Sequence, residues 1–168
     1  KLKNRVHQAH NIATSIYEEY KTIRSQREIQ NLIIVALKNI SYNEKHSYFF
    51  INSNKGQAIL FNKKPTLHLN KNIWDLQDVK GNYIIRKQSE IALTKDEGFL
   101  TNYFIKPDLS KDKQYPKLSY VKNFKPFNWH IGIGAYLDDV LYQTKQDILN
   151  DISKIRFGKN GYIFVNNL

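Results

Sequence analysis

The chain has 168 residues, of which 41% are hydrophobic and 13% aromatic, which suffices for one globular domain with a buried core and excludes a disordered chain. It contains no Cys, so a disulfide scaffold and a thiolate metal site are excluded. The net charge of +11 comes from 21 Lys and 5 Arg spread along the chain against 15 acidic residues, and because Arg usually leads in phosphate and base recognition, we predict a solvated basic surface and no nucleic-acid partner.

The first forty residues predict one long helix, since neither Gly nor Pro interrupts them. Their apolar residues recur at alternating steps of four and three, which is the spacing of a coiled-coil seam; they are Leu2, Val6, Ala9, Ala13, Ile16, Tyr20 and Ile23. Two interpretations are open at this stage. Either a second copy of the chain packs along this seam in a homodimer, or the helix lies against its own domain.

The segment 46–62 predicts a β-hairpin. His46–Ser53 is rich in aromatic and apolar residues, Gly56 supplies the positive φ of a turn, and Gln57–Asn62 returns as the second strand. Residues 63–78 show no clean period and predict a packed loop with a short helical turn.

Residues 81–156 predict two helices and three more strands. In chain order they are a helix at 81–94, a strand at 98–106, a charged loop at 108–114, strands at 117–124 and 129–136, and a helix at 137–156. A turn at 125–128 joins the last two strands, because Pro126 fixes φ and Asn128 tolerates unusual backbone angles. The predicted fold is α+β: a PAS-like five-stranded antiparallel sheet with a long N-terminal helix and helices on one face.

The sequence contains no catalytic constellation. There is no Gly-rich phosphate loop and no GxSxG motif, and the helix dipole explains Asp138 and Asp139 at a helix start. His7 and His10 have a spacing that can ligate a metal, but no third ligand is near them in sequence, which favours a solvated helix face. We therefore predict no enzyme activity, no metal site and no cofactor.

Two segments resemble the final strand pair of a Cache domain, a small-molecule-binding domain found outside the membrane in bacterial chemoreceptors, histidine kinases and diguanylate cyclases. They are PKLSYVK at 116–122 and WHIGIGAYLDD at 129–139, and they are similar to the family pattern pKlsYvk…W.igtGvYlDDi. The sequence departs from the pattern at Ile133, where Thr is common, and at Ala135, where Val is common. The resemblance covers roughly residues 30 to 150.

The resemblance implies a single, PAS-like sensor domain on the periplasmic or extracellular side of the bacterial inner membrane, carried by a membrane-anchored signalling receptor. It implies a small organic ligand, first of all a short carboxylate such as acetate, propionate, lactate or pyruvate. The alternative is a non-catalytic structural or dimerisation module with a degenerate pocket.

The expected organisation has four parts. Residues 1–40 are an N-terminal stalk and packing helix, 41–137 the sensor domain, and 138–156 a C-terminal helix. Residues 157–168 are either the start of a second Cache-like module, whose first strand they resemble, or an added edge strand. The absence of an initiator Met and the apolar strand pattern at the C-terminus predict an excised fragment, and no apolar run approaches the roughly 20 residues of a membrane span.

Lys117 and Tyr120 match the family's KlsY motif and are the first candidates for ligand binding, Lys117 as the charge partner of a carboxylate and Tyr120 as a hydroxyl donor. They stand three apart on a strand and therefore face opposite sides unless a bulge intervenes. Tyr103 and Phe104 lie where the family often has an aromatic pair, although the Trp that usually follows the Tyr by two residues is absent here. The resemblance also implies that Tyr48 and Phe50 form the sheet side of the pocket.

The sequence departs from the family pattern at a position that commonly contacts the ligand. Carboxylate-binding relatives commonly carry His-Pro-x-x-Pro-x-Leu, in which the His contacts the ligand, and this sequence has Phe61 at the His position. Either His68 replaces that His from the loop, or the ligand is not the usual one. Both Phe61 and His68 are therefore candidate ligand contacts.

Overall fold

The computed structural model describes residues 1–40, 42, 46–61, 69–107, 109–157 and 161–162, with the backbone alone for residues 156, 157, 161 and 162. The chain divides into two compact units, Lys1–Tyr136 and Leu137–Leu168. Each unit is described by itself.

The first unit is built on a five-stranded antiparallel sheet, as the sequence predicted. Its strands are β1 (Tyr48–Ser53), β2 (Ala58–Phe61), β3 (Glu97–Ile105), β4 (Gln114–Phe124) and β5 (Trp129–Tyr136). They lie in the order β2-β1-β5-β4-β3, and every neighbouring pair is antiparallel. The turn between β4 and β5 is a short 3₁₀ segment, Lys125–Phe127, and it closes on Asn128 at φ 52°, where Asn is one of the few residues tolerated.

The N-terminal segment is not one helix of forty residues. It forms α1 (Leu2–Tyr20) and α2 (Gln26–Lys38). Ser25 starts the second helix by a capping box, in which its side chain accepts from the Glu28 N–H and Glu28 accepts from the Ser25 N–H. A straight helix of forty residues would be about 60 Å long and would run past the sheet. The break turns α2 back onto the core, where its apolar face is buried.

The seam of α1 packs on the chain's own sheet. Val6, Ala9 and Ala13 are fully buried in one hydrophobic cluster with sheet residues such as Phe49 and Ile133. This packing agrees with the second interpretation of the heptad pattern, since these three residues are not available to a coiled-coil partner. We call this side of the sheet the helical face.

The opposite side of the sheet is covered by residues 69–83 and by α3 (Ile84–Lys95). The first of these segments consists of turns, held by isolated bridges between Gln57 and Asn72 and between Gln77 and Tyr83. We call the two segments together the covering segment and the side of the sheet beneath them the ligand face.

The second unit contains α4 (Leu137–Lys154) and a short hairpin of β6 (Arg156–Phe157) with β7 (Gly161–Tyr162). The hairpin forms its own two-stranded sheet. The remaining C-terminal residues lie outside the described part, so the second Cache-like module stays a prediction. Within the described ranges, no helix has the length and apolar character that crossing a membrane requires.

Candidate ligand-binding pocket

A cavity lies between the ligand face and the covering segment. The space between its walls, including the part open to solvent, is about 310 Å³. The sheet side is lined by Tyr48, Phe50, Asn52, Phe61, Asn102, Phe104, Lys117 and Ser119, and the covering side by Ile73, Leu76, Ile84, Ile85 and Gln88. The walls are mostly apolar and aromatic with a few polar groups, which is the usual composition of a small-molecule site.

Two glycines of β5 make room for two side chains that line the sheet side of the pocket. A Cβ on Gly134 would overlap Cε of Lys117, and a Cβ on Gly132 would overlap the ring of Phe50. A glycine inside a strand often marks the close approach of another backbone or of a ligand. The structure shows instead that side chains fill the space, and that Lys117 lies flat across the strand because residue 134 has no side chain.

Aromatic rings surround the ammonium group of Lys117, whose residue is only 4% exposed. Its Nζ lies 4.0 Å from the ring centre of Tyr48, and the ring centres of Phe104, Phe50 and Tyr136 follow at 5.2, 5.4 and 5.5 Å. Each ring face attracts a cation by about 0.5–2 kcal/mol. This attraction offsets only part of the cost of taking an ammonium group out of water.

Lys117 forms no ion pair with any acidic side chain in the described part of the chain. Burial disfavours its charged form and lowers the pKa of Lys117 to about 7. At about pH 7, Lys117 is therefore neutral in about half of the molecules. An anion in the cavity would supply the missing partner and restore the charged form.

Three polar atoms beside this lysine have no hydrogen-bond partner among the described residues: Asn52 Oδ1, Asn102 Oδ1 and Ser119 Oγ. Their residues are 1%, 4% and 1% exposed, respectively. Buried polar atoms are almost always hydrogen-bonded, and leaving one unpaired costs about 1–3 kcal/mol. Three such atoms in one cavity with an unpaired ammonium group indicate a site built for a polar ligand.

The Asn52 amide belongs to a network of buried polar side chains. Its amide nitrogen lies 3.4 Å from both Gln88 Oε1 and His130 Nε2. Nδ1 of His130 donates to Asn54 Oδ1 at 2.8 Å, because the amide nitrogen of Asn54 is used by the side-chain oxygens of Asn123 and Asn128. Burial lowers the pKa of His130 to about 3, so this ring is neutral, and its Nε2 also lies 3.1 Å from the side-chain amide of Gln88.

Four of the seven predicted site residues meet in the cavity: Lys117, Tyr48, Phe50 and Phe61. Tyr103 does not line it. Its neighbours Asn102 and Phe104 do, because residues next to each other on a strand point to opposite faces. Phe104 therefore faces the cavity and Tyr103 does not. His68 lies outside the described residues.

Tyr120 lies on the helical face, away from the cavity. It belongs to the cluster beneath α1, and its surroundings include Glu97, which accepts from His7 at 2.6 Å and pairs with Lys3 at 2.9 Å. Burial and a hydrogen bond to Glu97 raise the pKa of Tyr120. The strand has no bulge between Lys117 and Tyr120, so the alternation rule separates the two residues and Tyr120 cannot share the site. His10, the other histidine of α1, bonds to the Asn123 carbonyl oxygen at 3.0 Å.

Four polar residues of the pocket were not among the predicted site residues: Asn52, Gln88, Asn102 and Ser119. Ser119 was within reach of prediction, since it stands two residues after Lys117 and must share its face. Asn52 also gave a signal, because it interrupts the apolar strand Tyr48–Ile51 at an inward position. Gln88 gave none, because its place over the sheet depends on how α3 packs.

Comparison with known protein families gives one match over the whole chain. The family model for the Cache domain matches residues 1–168. Methyl-accepting chemotaxis protein McpP of Pseudomonas putida is 27% identical over 134 residues, which are 80% of this chain and 24% of the relative. Sensor histidine kinase MctS of Rhizobium johnstonii is 33% identical over 113 residues, which are 67% of this chain and 23% of that relative. The chain thus spans about a quarter of the length of these curated relatives.

Solved structures show the same fold. A periplasmic sensor domain of a chemotaxis protein superposes with a TM-score of 0.74 at 20% identity, covering 81% of this chain and 92% of the other. A Cache chemosensory domain whose structure describes carboxylic acid recognition superposes with a TM-score of 0.68 at 22% identity, covering 80% and 92%. Fold, family match and a buried non-catalytic pocket agree. The chain belongs to the Cache domain family and is an extracytoplasmic ligand-sensing domain of the kind carried by chemoreceptors and sensor histidine kinases.

Proposed function

We propose that this domain senses a short organic carboxylate, which binds in the pocket with its carboxylate group on Lys117. The observation that carries the proposal is the buried ammonium group without an acidic partner in the described part of the chain. A charged hydrogen bond between an ammonium and a carboxylate is about twice as strong as a neutral one. The ligand would thus remove the largest unfavourable feature of the empty pocket.

The size and walls of the cavity support a short ligand. The space between its walls is small, since the figure of about 310 Å³ includes the part that is open to solvent. Aromatic rings of the sheet and aliphatic side chains of the covering segment leave room for a short carbon chain between them. One structural neighbour is described as recognising carboxylic acids, which is consistent with the ligand class that we propose for this chain.

The ligand would join two parts of the domain. Lys117 and Phe50 stand on the sheet, whereas Ile84 and Gln88 stand on the covering segment. A ligand that touches both favours the arrangement in which they are close, and a receptor reports binding by such a shift between states. We propose that the parent protein is a membrane-anchored chemoreceptor or histidine kinase that uses this shift as its input.

Isothermal titration calorimetry on the domain tests the proposal. Acetate and propionate should bind, whereas propionamide, which has the same shape without the charge, should not. Lys117→Met keeps the length of the side chain and removes its charge, and it should lose at least about tenfold in propionate affinity. If no carboxylate binds, the domain is better described as a structural or dimerisation module with a degenerate pocket.

A further inference from the structure

A series of buried polar side chains joins the covering segment to α1. It begins at Gln88 on α3, whose Oε1 lies 3.1 Å from Nε2 of His130. The other ring nitrogen of His130 donates to Oδ1 of Asn54 at 2.8 Å. All three residues are buried, so these contacts lie at low dielectric, where hydrogen bonds are stronger than in water and neighbouring bonds polarise one another.

Asn123 continues the series from the ligand face to the helical face. Its Oδ1 accepts from the amide nitrogen of Asn54 at 3.2 Å. Its side chain shares the face of His130, because the two residues are direct cross-strand partners. Its backbone carbonyl oxygen accepts from Nε2 of His10 at 3.0 Å, and His10 belongs to α1. We call these five residues the polar relay: Gln88, His130, Asn54, Asn123 and His10.

The bond between His10 and Asn123 has a fixed direction. A carbonyl oxygen can only accept, so Nε2 of His10 carries the proton, and Nδ1 is free to accept from Thr14 Oγ1 at 3.4 Å. Burial lowers the pKa of His10 and favours the neutral ring. The ring also packs edge-on against Phe124, with 5.6 Å between the ring centres. A displacement of Asn123 therefore acts directly on a buried side chain of α1.

The two hydrogen bonds of His130 depend on each other, because the ring has one proton to donate. Burial lowers the pKa of His130 to about 3, so the ring is neutral, with one N–H donor and one acceptor nitrogen. An oxygen atom faces each ring nitrogen, Oε1 of Gln88 at Nε2 and Oδ1 of Asn54 at Nδ1. The proton is donated to only one of these oxygens at a time. A movement of Gln88 therefore changes the hydrogen bond that Asn54 receives.

Gln88 also lines the pocket, so a bound ligand contacts the first member of the relay. We propose that the polar relay couples occupancy of the pocket to the position of α1: a ligand that displaces Gln88 changes the bond from His130 to Asn54, and the contact between Asn123 and His10 changes with it. The inference rests on the proposed sensing function in that it requires a ligand in the pocket, and it holds for any ligand that moves Gln88.

Nitrogen NMR of the histidine side chains tests the relay in the ligand-free domain. Gln88→Met keeps an unbranched side chain of the same length and removes the amide. It should shift the ring signals of His10 towards those of a histidine that exchanges between its two tautomers, because the bond to Asn123 weakens. His7 lies one turn earlier on α1 and bonds to Glu97, outside the relay, so its signals should stay in place. Unchanged His10 signals, or equal shifts of His7 and His10, overturn the proposal.

Ile85→Val is the matched control. Ile85 lines the pocket from α3 as Gln88 does, but it carries no polar group, so this variant should leave the His10 signals unchanged at the same pH. A shift as large as that in Gln88→Met would assign the effect to the packing of α3 and would overturn the relay. Asn54→Ser, which breaks the relay at its middle, should remove the effect of Gln88→Met on His10, and an effect that persists contradicts this route.

Propionate added to the unaltered domain separates this inference from the carboxylate function. It should shift the His10 signals and leave those of His7, and the shift should saturate at the concentration at which calorimetry shows full binding. Propionate that binds without shifting His10 overturns the relay and leaves the carboxylate function standing. If propionate does not bind, the carboxylate function fails and the spectra of Gln88→Met decide the relay. If Gln88→Met does not fold, the propionate titration decides it.

Discussion

The affinity for a carboxylate should depend on pH, because the lysine that receives it is half deprotonated at neutral pH. Burial lowers the pKa of Lys117 to about 7 in the ligand-free domain, and a bound carboxylate raises it again. Binding therefore takes up a proton wherever the free lysine is neutral. The ligand itself stays ionised throughout, since a short carboxylic acid titrates near pH 4 to 5, as a Glu side chain does.

The magnitude follows from the fraction of charged lysine. With a pKa of about 7, affinity should fall about fivefold from pH 7 to pH 8 and about ninefold more from pH 8 to pH 9, and it should level off below about pH 6. Two other described groups at the pocket stay outside this window, since burial lowers the pKa of His130 to about 3 and raises that of Tyr48 far above it.

Calorimetry in two buffers of different ionisation enthalpy measures both the affinity and the proton uptake. At pH 8 the domain should take up about 0.9 proton for each propionate bound. Lys117→Met is the control, and any binding that it retains should show no such uptake. An affinity that is constant from pH 6 to pH 9, or binding without proton uptake, would refute the assignment of the carboxylate to Lys117.

Two further predictions concern the ligand-free domain. Lys117→Met should be more stable than the unaltered domain by up to about 4 kcal/mol at pH 7, because the lowered pKa of the buried lysine costs stability. That stability returns as the pH rises, so the difference should shrink towards pH 10.5. Urea unfolding at several pH values measures the difference, and a less stable variant would contradict the burial argument. Gly134→Ala should displace the flexible end of Lys117 and weaken carboxylate binding about tenfold with little loss of stability. Gly132→Ala should destabilise the domain by about 1–3 kcal/mol, because the new methyl group meets the Phe50 ring and lies 3.0 Å from the Tyr120 carbonyl oxygen. The opposite order of the two thermal midpoints would contradict this explanation of the glycines.

The strands were predictable because alternation along each strand survives in this sheet. One face is buried by α1 and α2 and the other by the covering segment. The rule of alternation also separated Lys117 from Tyr120 correctly. It could not choose between Tyr103 and Phe104, because the strand pattern alone does not say which of two adjacent aromatic residues faces the ligand.

A local sequence motif marks the break between α1 and α2, but the heptad pattern favoured the prediction of one continuous helix. Ser25 and Glu28 form the S-x-x-E capping box, which marks a helix start. The heptad spacing extends through Ile23, yet Ile23 is 72% exposed in the structure. A pattern of apolar spacing describes which face is apolar, and it does not say where the tertiary core ends.

The polar half of the pocket was the least predictable part. An Asn or Ser in a strand is ordinary, and nothing in the sequence says whether its amide or hydroxyl is paired. The pairing of Asn52 depends on Gln88 and His130, which are 36 and 78 residues away in the chain. Lys117 was identifiable through the family resemblance, but its lack of an acidic partner becomes visible only when the strands and the covering segment are assembled.

A crystal structure of the domain with bound propionate tests the central claim most directly. A carboxylate oxygen should lie within about 3.2 Å of Lys117 Nζ, and a second hydrogen bond should come from Ser119 Oγ. A ligand whose carboxylate lies elsewhere, for example on the helical face beside Tyr120, would contradict the account, as would an unchanged Lys117 with no ligand in crystals grown at a concentration that saturates the domain in solution.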